Sequence, residues 1–190
     1  PGIRCFATGG IGGVHRDWTT LPDVSADLRA LARSPVCVVC AGAKSLLDVP
    51  ATAEALEALG VPRLGYRTDR LPRFLVPGDE SAPRVTSMSS PEAVARFCAV
   101  HWTTIGESTA VLLNQPPPAG GLDAAALEAA TRAAEAAAGR AGMHDASRTP
   151  FVLDQVVRST GGRSLIVNLD VLIRNATLAA EVAVAYAAAA

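Results

Sequence analysis

The chain has 190 residues, of which 49% are apolar and 4% aromatic, and its formal net charge is −1. This length is enough for one domain with a sizeable core, which must be built mainly from alanine, valine and leucine. The near-neutral charge, without a basic stripe, argues against a nucleic-acid-binding surface. No apolar run approaches the roughly 20 residues that a membrane span needs, so no membrane association is expected.

Short apolar runs alternate with helical patterns as far as Asn114. Strands alternating with helices favour an α/β domain, here a three-layer α/β/α sandwich with a mostly parallel sheet. The predicted strands are Ile3–Thr8, Val36–Cys40, Arg63–Tyr66, Arg84–Thr86 and Ala110–Asn114. The predicted helices between them are Ser25–Arg33, Pro50–Leu59 and Pro91–Trp102.

The second half of the chain reads as a helical layer. A proline-rich connector leads into an alanine-rich helix predicted over Leu122–Ala138. Thr149 is predicted to cap the next helix, with Pro150 at the first helical position and Gly161-Gly162 at its end. Ser164 is then predicted to cap a long apolar helix. No second domain is indicated, so residues 1–190 form a single domain in this interpretation.

The four cysteines do not predict a disulfide framework or a zinc site. Cys37 and Cys40 have CxxC spacing, but they lie within a strand-like run. Positions three apart in a strand point to opposite faces of the sheet. The cysteines are therefore expected to be small buried residues of a reducing compartment, which favours a cytoplasmic location.

The first strand leads into a glycine-rich loop, "FATGGIGGVHR", that ends at His15. Such a loop lets the backbone approach a ligand and aim N–H groups at an anion, although a tight turn would need the same glycines. His15 is either structural or a site member. Ser25 is a credible N-cap, and Asp27 in the first helical turn suits the helix dipole. Asp23 precedes the cap, and its carboxylate could hold a hard cation together with waters.

Lys44 is the only lysine in a chain whose lysines and arginines number 17 together. It follows an apolar strand, as the glycine loop does, and ligands of open α/β sheets bind beyond the carboxyl ends of the strands. An amine there can lose its proton and attack a carbonyl to form a Schiff base, which guanidinium cannot do. The alternative is a lysine that merely binds an anion, and the sequence favours the nucleophile.

Together, "FATGGIGGVHR", "DVSADL", "VCVVCAGAKSLLDVP", "LGYRTDRLPRF", "TPF" and "TGGRSLIVN" resemble the pseudouridine-5′-phosphate glycosidases. These proteins are also called pseudouridylate synthases or indigoidine-synthase-A-like proteins, and the resemblance covers essentially the whole chain. It implies an α/β/α fold, a homotrimer, and a reversible reaction of the glycosidase or lyase class. That reaction joins or splits uracil and ribose 5-phosphate at a C–C bond, with C1′ of the opened ribose held as an imine on a lysine.

The same resemblance assigns roles to individual residues. The lysine of "CAGAKS" is Lys44, and the first aspartate of "DVSAD", Asp23, would bind one divalent metal, usually manganese. The three residues Ser25, Ala26 and Asp27 would touch substrate. His15 and Asn168 would belong to the site, His15 in catalysis and Asn168 in substrate binding.

The resemblance also implies an N-terminal segment of a hundred or more residues before "FATGG", which holds the acid–base glutamate, a substrate-binding lysine and part of the phosphate site. No glutamate near the glycine loop or Lys44 in the sequence replaces that one. Two alternatives to an active enzyme follow. The chain could be a non-catalytic remnant that retains affinity for sugar phosphate or metal, or a piece that mainly builds an oligomer.

Overall fold

Five parallel strands form a single sheet in the computed structural model, which describes residues 2–20, 22–118, 121–143 and 147–189. The strands cross the sheet in the order β1-β2-β5-β3-β4. They are β1 (Cys5–Ala7), β2 (Cys37–Cys40), β3 (Arg63–Tyr66), β4 (Thr86–Met88) and β5 (Val111–Asn114). All five predicted strands are confirmed, but the predicted start of β4 at Arg84 is wrong. Arg84 bridges the loop residue Arg70 instead, and Val85 donates to Asp69.

Six α-helices accompany the sheet in the described part of the chain, and four of them begin at a side-chain cap. They are α1 (Ala26–Leu31), α2 (Val49–Ala58), α3 (Pro91–Ala99), α4 (Ala124–Arg140), α5 (Arg148–Ser159) and α6 (Arg163–Ala189). A π-helical turn over Val100–Thr104 extends α3. The caps are Ser25, Asp48, Ser90 and Asp123, each accepting a backbone N–H of the first turn. The predicted cap at Ser25 is confirmed.

Two other predicted caps are wrong. Thr149 lies inside α5, which begins one residue earlier, at Arg148. Ser164 lies in the first turn of α6, and the hydroxyl of Thr160 accepts its backbone N–H at 3.3 Å. Thr160 takes over this role because Gly161 and Gly162, with φ of 58° and 84°, fold the chain back tightly between α5 and α6.

The sheet is covered on both faces, which confirms the three-layer sandwich. Successive residues of β2 alternate between two buried clusters: Cys37 and Val39 pack towards α3 and the C-terminal half of α6, whereas Val38 and Cys40 pack towards α1 and α2. All four cysteines are free thiols. Cys37, Cys40 and Cys98 are buried as predicted, whereas Cys5, on the edge strand β1, is only partly buried. Burial raises the pKa of Cys40 to about 12, so this thiol stays protonated and unreactive.

Helix α6 is 27 residues long and, by length and composition alone, apolar enough to cross a bilayer. The expectation that no segment would pass that test was therefore wrong. Here one side of α6 packs on the protein instead: Val167 and Val171 join the cluster around the glycine loop, and Leu178 and Val182 join the cluster against the sheet. Of its most apolar window, 28% is buried inside the protein.

Candidate functional site

The glycine loop and the turn that carries Lys44 meet beyond the carboxyl ends of β1 and β2. The N–H of Ala41 donates to the carbonyl of Gly9 at 2.9 Å, and the N–H of Ile11 donates to the carbonyl of Gly42 at 3.0 Å. The N–H of Lys44 returns a bond to the carbonyl of Ile11 at 3.1 Å. Parallel pairing thus continues past the strands and brings both segments to one edge of the sheet, as the sequence predicted.

Two glycines in these segments are required by space. Gly42 has φ of 86°, and a Cβ there would overlap the carbonyl of Pro72. A Cβ on Gly12 would overlap the hydroxyl of Ser25 and lie 2.9 Å from Oδ2 of Asp27. The loop is therefore built for close backbone approach, which a simple tight turn would not need at both positions.

Lys44 lines a cavity of about 360 Å³ between the glycine loop and α1. Asp27 lines the same cavity, and Thr8 and Gly10 of the glycine loop contribute to its wall. Lys44 is half-buried, whereas Asp27 is exposed. An amine-bearing and a carboxylate-bearing side chain therefore share one opening at the predicted ligand-binding edge.

Asp27 does more than start a helix. Its backbone N–H donates to Oγ of Ser25 at 3.2 Å, which is the cap of α1. Its carboxylate oxygen Oδ2 also accepts the N–H of Gly12 at 2.7 Å, so the side chain ties α1 to the glycine loop. The N–H of Ser25 donates to the carbonyl of Gly13 at 2.9 Å and completes the tie. Ala26 follows Ser25 as the exposed first residue of α1.

His15 pairs with Asp23, not with Lys44. Nε2 of His15 lies 3.6 Å from Oδ2 of Asp23, and the His15 side chain is 12% exposed. Burial lowers the pKa of His15, Asp23 opposes this shift, and the positive charges of Arg148 and Lys44 add to it. The imidazole is therefore neutral at pH 7 and able to accept a proton. Nδ1 of His15 is buried without a hydrogen-bond partner in the described part of the chain.

A second cavity, of about 410 Å³, is lined by His15, Asp23, Asp17, Glu135 and Arg148. Asp23 and Asp27 thus line different cavities, although only three residues separate them in the sequence. Within residues 2–20, 22–118, 121–143 and 147–189, no three His, Cys, Asp or Glu residues are grouped as a metal site. The sequence did not indicate Glu135 as a residue of this cavity, because it is distant in sequence from the glycine loop. Burial raises its pKa.

Asn168 lies in α6 against the glycine loop. A Cβ on Gly9 would be 2.8 Å from its Oδ1, which is buried and has no hydrogen-bond partner among the described residues. Phe74 packs beside it on Gly9 and Gly10 and has φ of 61°, which is rare for a bulky side chain. Its N–H donates to the carbonyl of Ala41 at 2.7 Å. No sequence signal distinguishes Phe74, since positive φ is usually a property of glycine.

The fold and the site define an open parallel α/β protein with a lysine, a glycine loop and carboxylates at the carboxyl edge of its sheet. The chain belongs to the family described as indigoidine synthase A like protein, whose sequence profile matches residues 1–185. The resemblance read from the sequence motifs is therefore confirmed.

Several curated relatives carry the name pseudouridine-5′-phosphate glycosidase. The relative from Gemmatimonas aurantiaca is 50% identical over 97% of this chain and 59% of its own length. The relative from Myxococcus xanthus is 42% identical over 99% of this chain and 62% of its own length. The chain thus spans about three fifths of the length of these relatives.

Two solved structures share the fold. The prealnumycin C-glycosynthase AlnA, crystallised in complex with ribulose 5-phosphate, has a TM-score of 0.89 at 36% identity, covering 99% of this chain and 62% of that one. An indigoidine synthase A-like protein from Thermotoga maritima has a TM-score of 0.86 at 33% identity, covering 96% of this chain and 59% of that one.

Proposed function

We propose that this chain is the lysine-bearing part of an enzyme that reversibly cleaves pseudouridine 5′-phosphate into uracil and ribose 5-phosphate. The observation that carries the proposal is the position of Lys44, which lines a cavity with Asp27 at the carboxyl edge of the sheet. The name of the relatives and the ribulose 5-phosphate bound to AlnA support a sugar phosphate as the ligand.

Lys44 is the nucleophile of the proposed reaction. The sugar ring opens as the bond between C1′ and the ring oxygen O4′ breaks; O4′ takes up a proton, and the amine nitrogen bonds to C1′ and loses a proton. The bond between C1′ and the uracil carbon then breaks, its electron pair leaves with uracil, and the uracil carbon takes up a proton. C1′ remains as an imine on Lys44, and water hydrolyses this imine to ribose 5-phosphate and free amine. A carboxylate pair alone does not suffice, because the broken bond has no heteroatom to protonate.

His15 is proposed to move protons during this sequence. Its imidazole is neutral at pH 7 because it is buried, and its unpartnered Nδ1 leaves hydrogen-bonding capacity for a ligand or water. The remaining positions are proposed to bind substrate: Ser25, Ala26 and Asp27 at the start of α1, and Asn168 through its unpartnered Oδ1 over Gly9.

Asp23 is proposed to bind a divalent cation, with manganese as the expected metal. The surroundings fit such a role: the Asp23 side chain is 40% exposed and opens to a cavity of about 410 Å³, so a hard cation could keep most of its waters. When bound, the cation would supply a fixed positive charge for sugar or phosphate oxygens. Because neighbouring His15 is neutral, it carries no positive charge that would compete with the cation for the Asp23 carboxylate.

We also propose that the protein assembles as a homotrimer. A trimer is compatible with the enzyme and with both non-catalytic alternatives, so it does not decide between them. The supporting observation is an exposed apolar stripe along the first half of α6, opposite its buried face. Its members are 37% to 64% exposed: Leu165, Ile166, Leu169, Leu172 and Ile173. A stripe of this size on a helix that already buries its other side marks an interaction surface.

The test of the nucleophile is reductive trapping. Ribose 5-phosphate and borohydride are added to the protein joined to the additional segment of its relatives, and the adduct is located by peptide mass mapping. The expected result is one reduced sugar phosphate on Lys44. Lys44→Arg keeps the positive charge but cannot form an imine, so it should lose both the adduct and uracil release. An adduct at the amino terminus only would overturn the assignment.

A further inference from the structure

Arg16 joins the turn after Lys44 to helix α4. Its two terminal nitrogens contact both carboxylate oxygens of Glu128, Nη1 to Oε1 at 2.5 Å and Nη2 to Oε2 at 2.8 Å. Nη2 also donates to the carbonyl oxygen of Ser45 at 2.7 Å. Ser45 directly follows Lys44. The Arg16 guanidinium therefore links the backbone next to Lys44 to the side chain of Glu128, which lies 112 positions after Arg16 in the sequence.

Further contacts fix both partners of the Arg16–Glu128 ion pair. Glu128 also accepts a bond from Nε of Arg132 at 2.7 Å, one turn further along α4. The hydrogen bond from Arg16, followed by that from Arg132, lowers the pKa of Glu128 to about 2. The Arg16 side chain is only 27% exposed, and the two parallel N–H···O bonds fix its plane as well as its position.

The Lys44 turn is otherwise held by backbone bonds, one of them from the N–H of Asp48 to the carbonyl of Val14 at 2.9 Å. The N–H of Lys44 reaches Ile11 in the glycine loop, and the N–H of Leu47 closes the turn on the carbonyl of Lys44 at 3.0 Å. The contact from Arg16 to the Ser45 carbonyl adds a side-chain support, which Glu128 of α4 holds in place.

We propose that Arg16 and Glu128 are positioning residues that hold the Lys44 turn in the orientation needed for attack on the sugar carbonyl. Neither lines the cavity that contains Lys44 and Asp27. Their effect passes through the Ser45 carbonyl, so they act on the geometry of the amine and not on substrate affinity. The proposal rests on the proposed function, because it assumes that Lys44 forms an imine.

The experiment uses the joined protein, that is, this chain joined to the additional segment of its relatives. It measures the rate of borohydride trapping at Lys44 as a function of ribose 5-phosphate concentration. Glu128→Gln removes the charge at nearly constant size, and Arg16→Lys removes the two-pronged geometry. Each is expected to lower the maximal trapping rate about 10- to 100-fold, the range for misplacement of a reacting group by about 1 Å. The half-saturating concentration should change less than threefold. Glu128→Asp, which keeps the charge, should recover part of the rate.

The matched control is Glu57→Gln. Glu57 also pairs with an arginine on another element, Arg63 at 2.9 Å, but this pair has no contact with the Lys44 turn. Its maximal trapping rate should equal that of the unchanged protein. Folded fractions are measured by thermal unfolding, and rates are expressed per folded molecule. The proposal would be overturned if folded Glu128→Gln and Arg16→Lys kept the maximal trapping rate of the unchanged protein. It would also be overturned if only the half-saturating ribose 5-phosphate concentration changed.

A second measurement separates this proposal from the proposed function. Formaldehyde with a mild borane methylates amines without any sugar, and Lys44 is the only lysine of these 190 residues. Peptide mass mapping follows its methylation in the protein joined to the additional segment, with the amino terminus of that joined protein as the internal reference. Loosening the turn should make Lys44 react at least threefold faster, relative to the amino terminus, in Glu128→Gln than in Glu57→Gln. If the unchanged protein forms no sugar adduct, the proposed function fails, and an equal methylation ratio in both variants would then refute the positioning role as well.

Discussion

Gly12→Ala tests how closely the glycine loop is packed on the start of α1. The new Cβ would overlap the Ser25 hydroxyl, lie 2.6 Å from Ser25 Cβ, and lie 2.9 Å from Oδ2 of Asp27. Overpacking of this kind costs about 1–3 kcal/mol. The displaced Asp27 would also lose its 2.7 Å bond from the Gly12 N–H, worth about 1.5 kcal/mol for a partly exposed charged acceptor. We expect a total loss of about 3 kcal/mol.

For a domain of this size, such a loss lowers the melting temperature by about 6–12 °C. Thermal unfolding followed by circular dichroism measures it, and titration calorimetry with ribose 5-phosphate should show weaker binding. The matched control is Gly139→Ala in α4, where the added Cβ meets nothing within 4 Å. That change should stabilise by about 0.5–1 kcal/mol, because alanine is the better helix former. A melting temperature of Gly12→Ala within 2 °C of the unchanged protein would refute the close packing at this loop.

Three further predictions follow from the site. Asp23→Asn should weaken manganese binding markedly and Asp27→Asn much less, because only Asp23 opens to the second cavity; equal losses by titration calorimetry would contradict this division. The 190-residue chain alone should release no uracil and should aggregate through the α6 stripe, whereas the joined protein should sediment as a trimer and release uracil; steady uracil release by the chain alone would point to His15 or Glu135 as the proton carrier. Glu128, whose pKa is lowered from 4.5 to about 2, stabilises the fold above pH 4.5 and loses this contribution as the pH falls through 2. After discounting for solvent, Glu128→Gln should cost about 1 kcal/mol at pH 7 and much less at pH 2, and an equal cost at both would contradict it.

The sequence predicted the meeting of the glycine loop and Lys44 because strand geometry determines it. Parallel strands end at the same edge, so two segments that each follow a strand must come together there. The opposite faces of Cys37 and Cys40 were equally predictable from the two-residue period of a strand. Both results depend on local geometry that repeats regularly.

The separation of Asp23 from Asp27 could not be read from the sequence. It depends on the side from which α4 and α5 approach the loop, and that side is set by tertiary packing of alanine-rich helices with little pattern of their own. The same holds for Glu135 and for the contact of Arg16 with Glu128, because charged residues on an exposed-looking helix give no sign of a distant partner. The strained backbone of Phe74 is likewise imposed by its surroundings.

Asn175 of α6 donates through Nδ2 to the carbonyl of Thr8 at 2.8 Å, across 167 positions of sequence. Thr8 begins the glycine loop, and Asn175 is only 1% exposed, so this bond is enclosed by the protein. The loop is therefore supported by a residue that is synthesised 167 positions after it. During synthesis the sheet strands can pair early, but the ligand-binding edge acquires this support only after α6 has been made, and such a long-range contact slows folding.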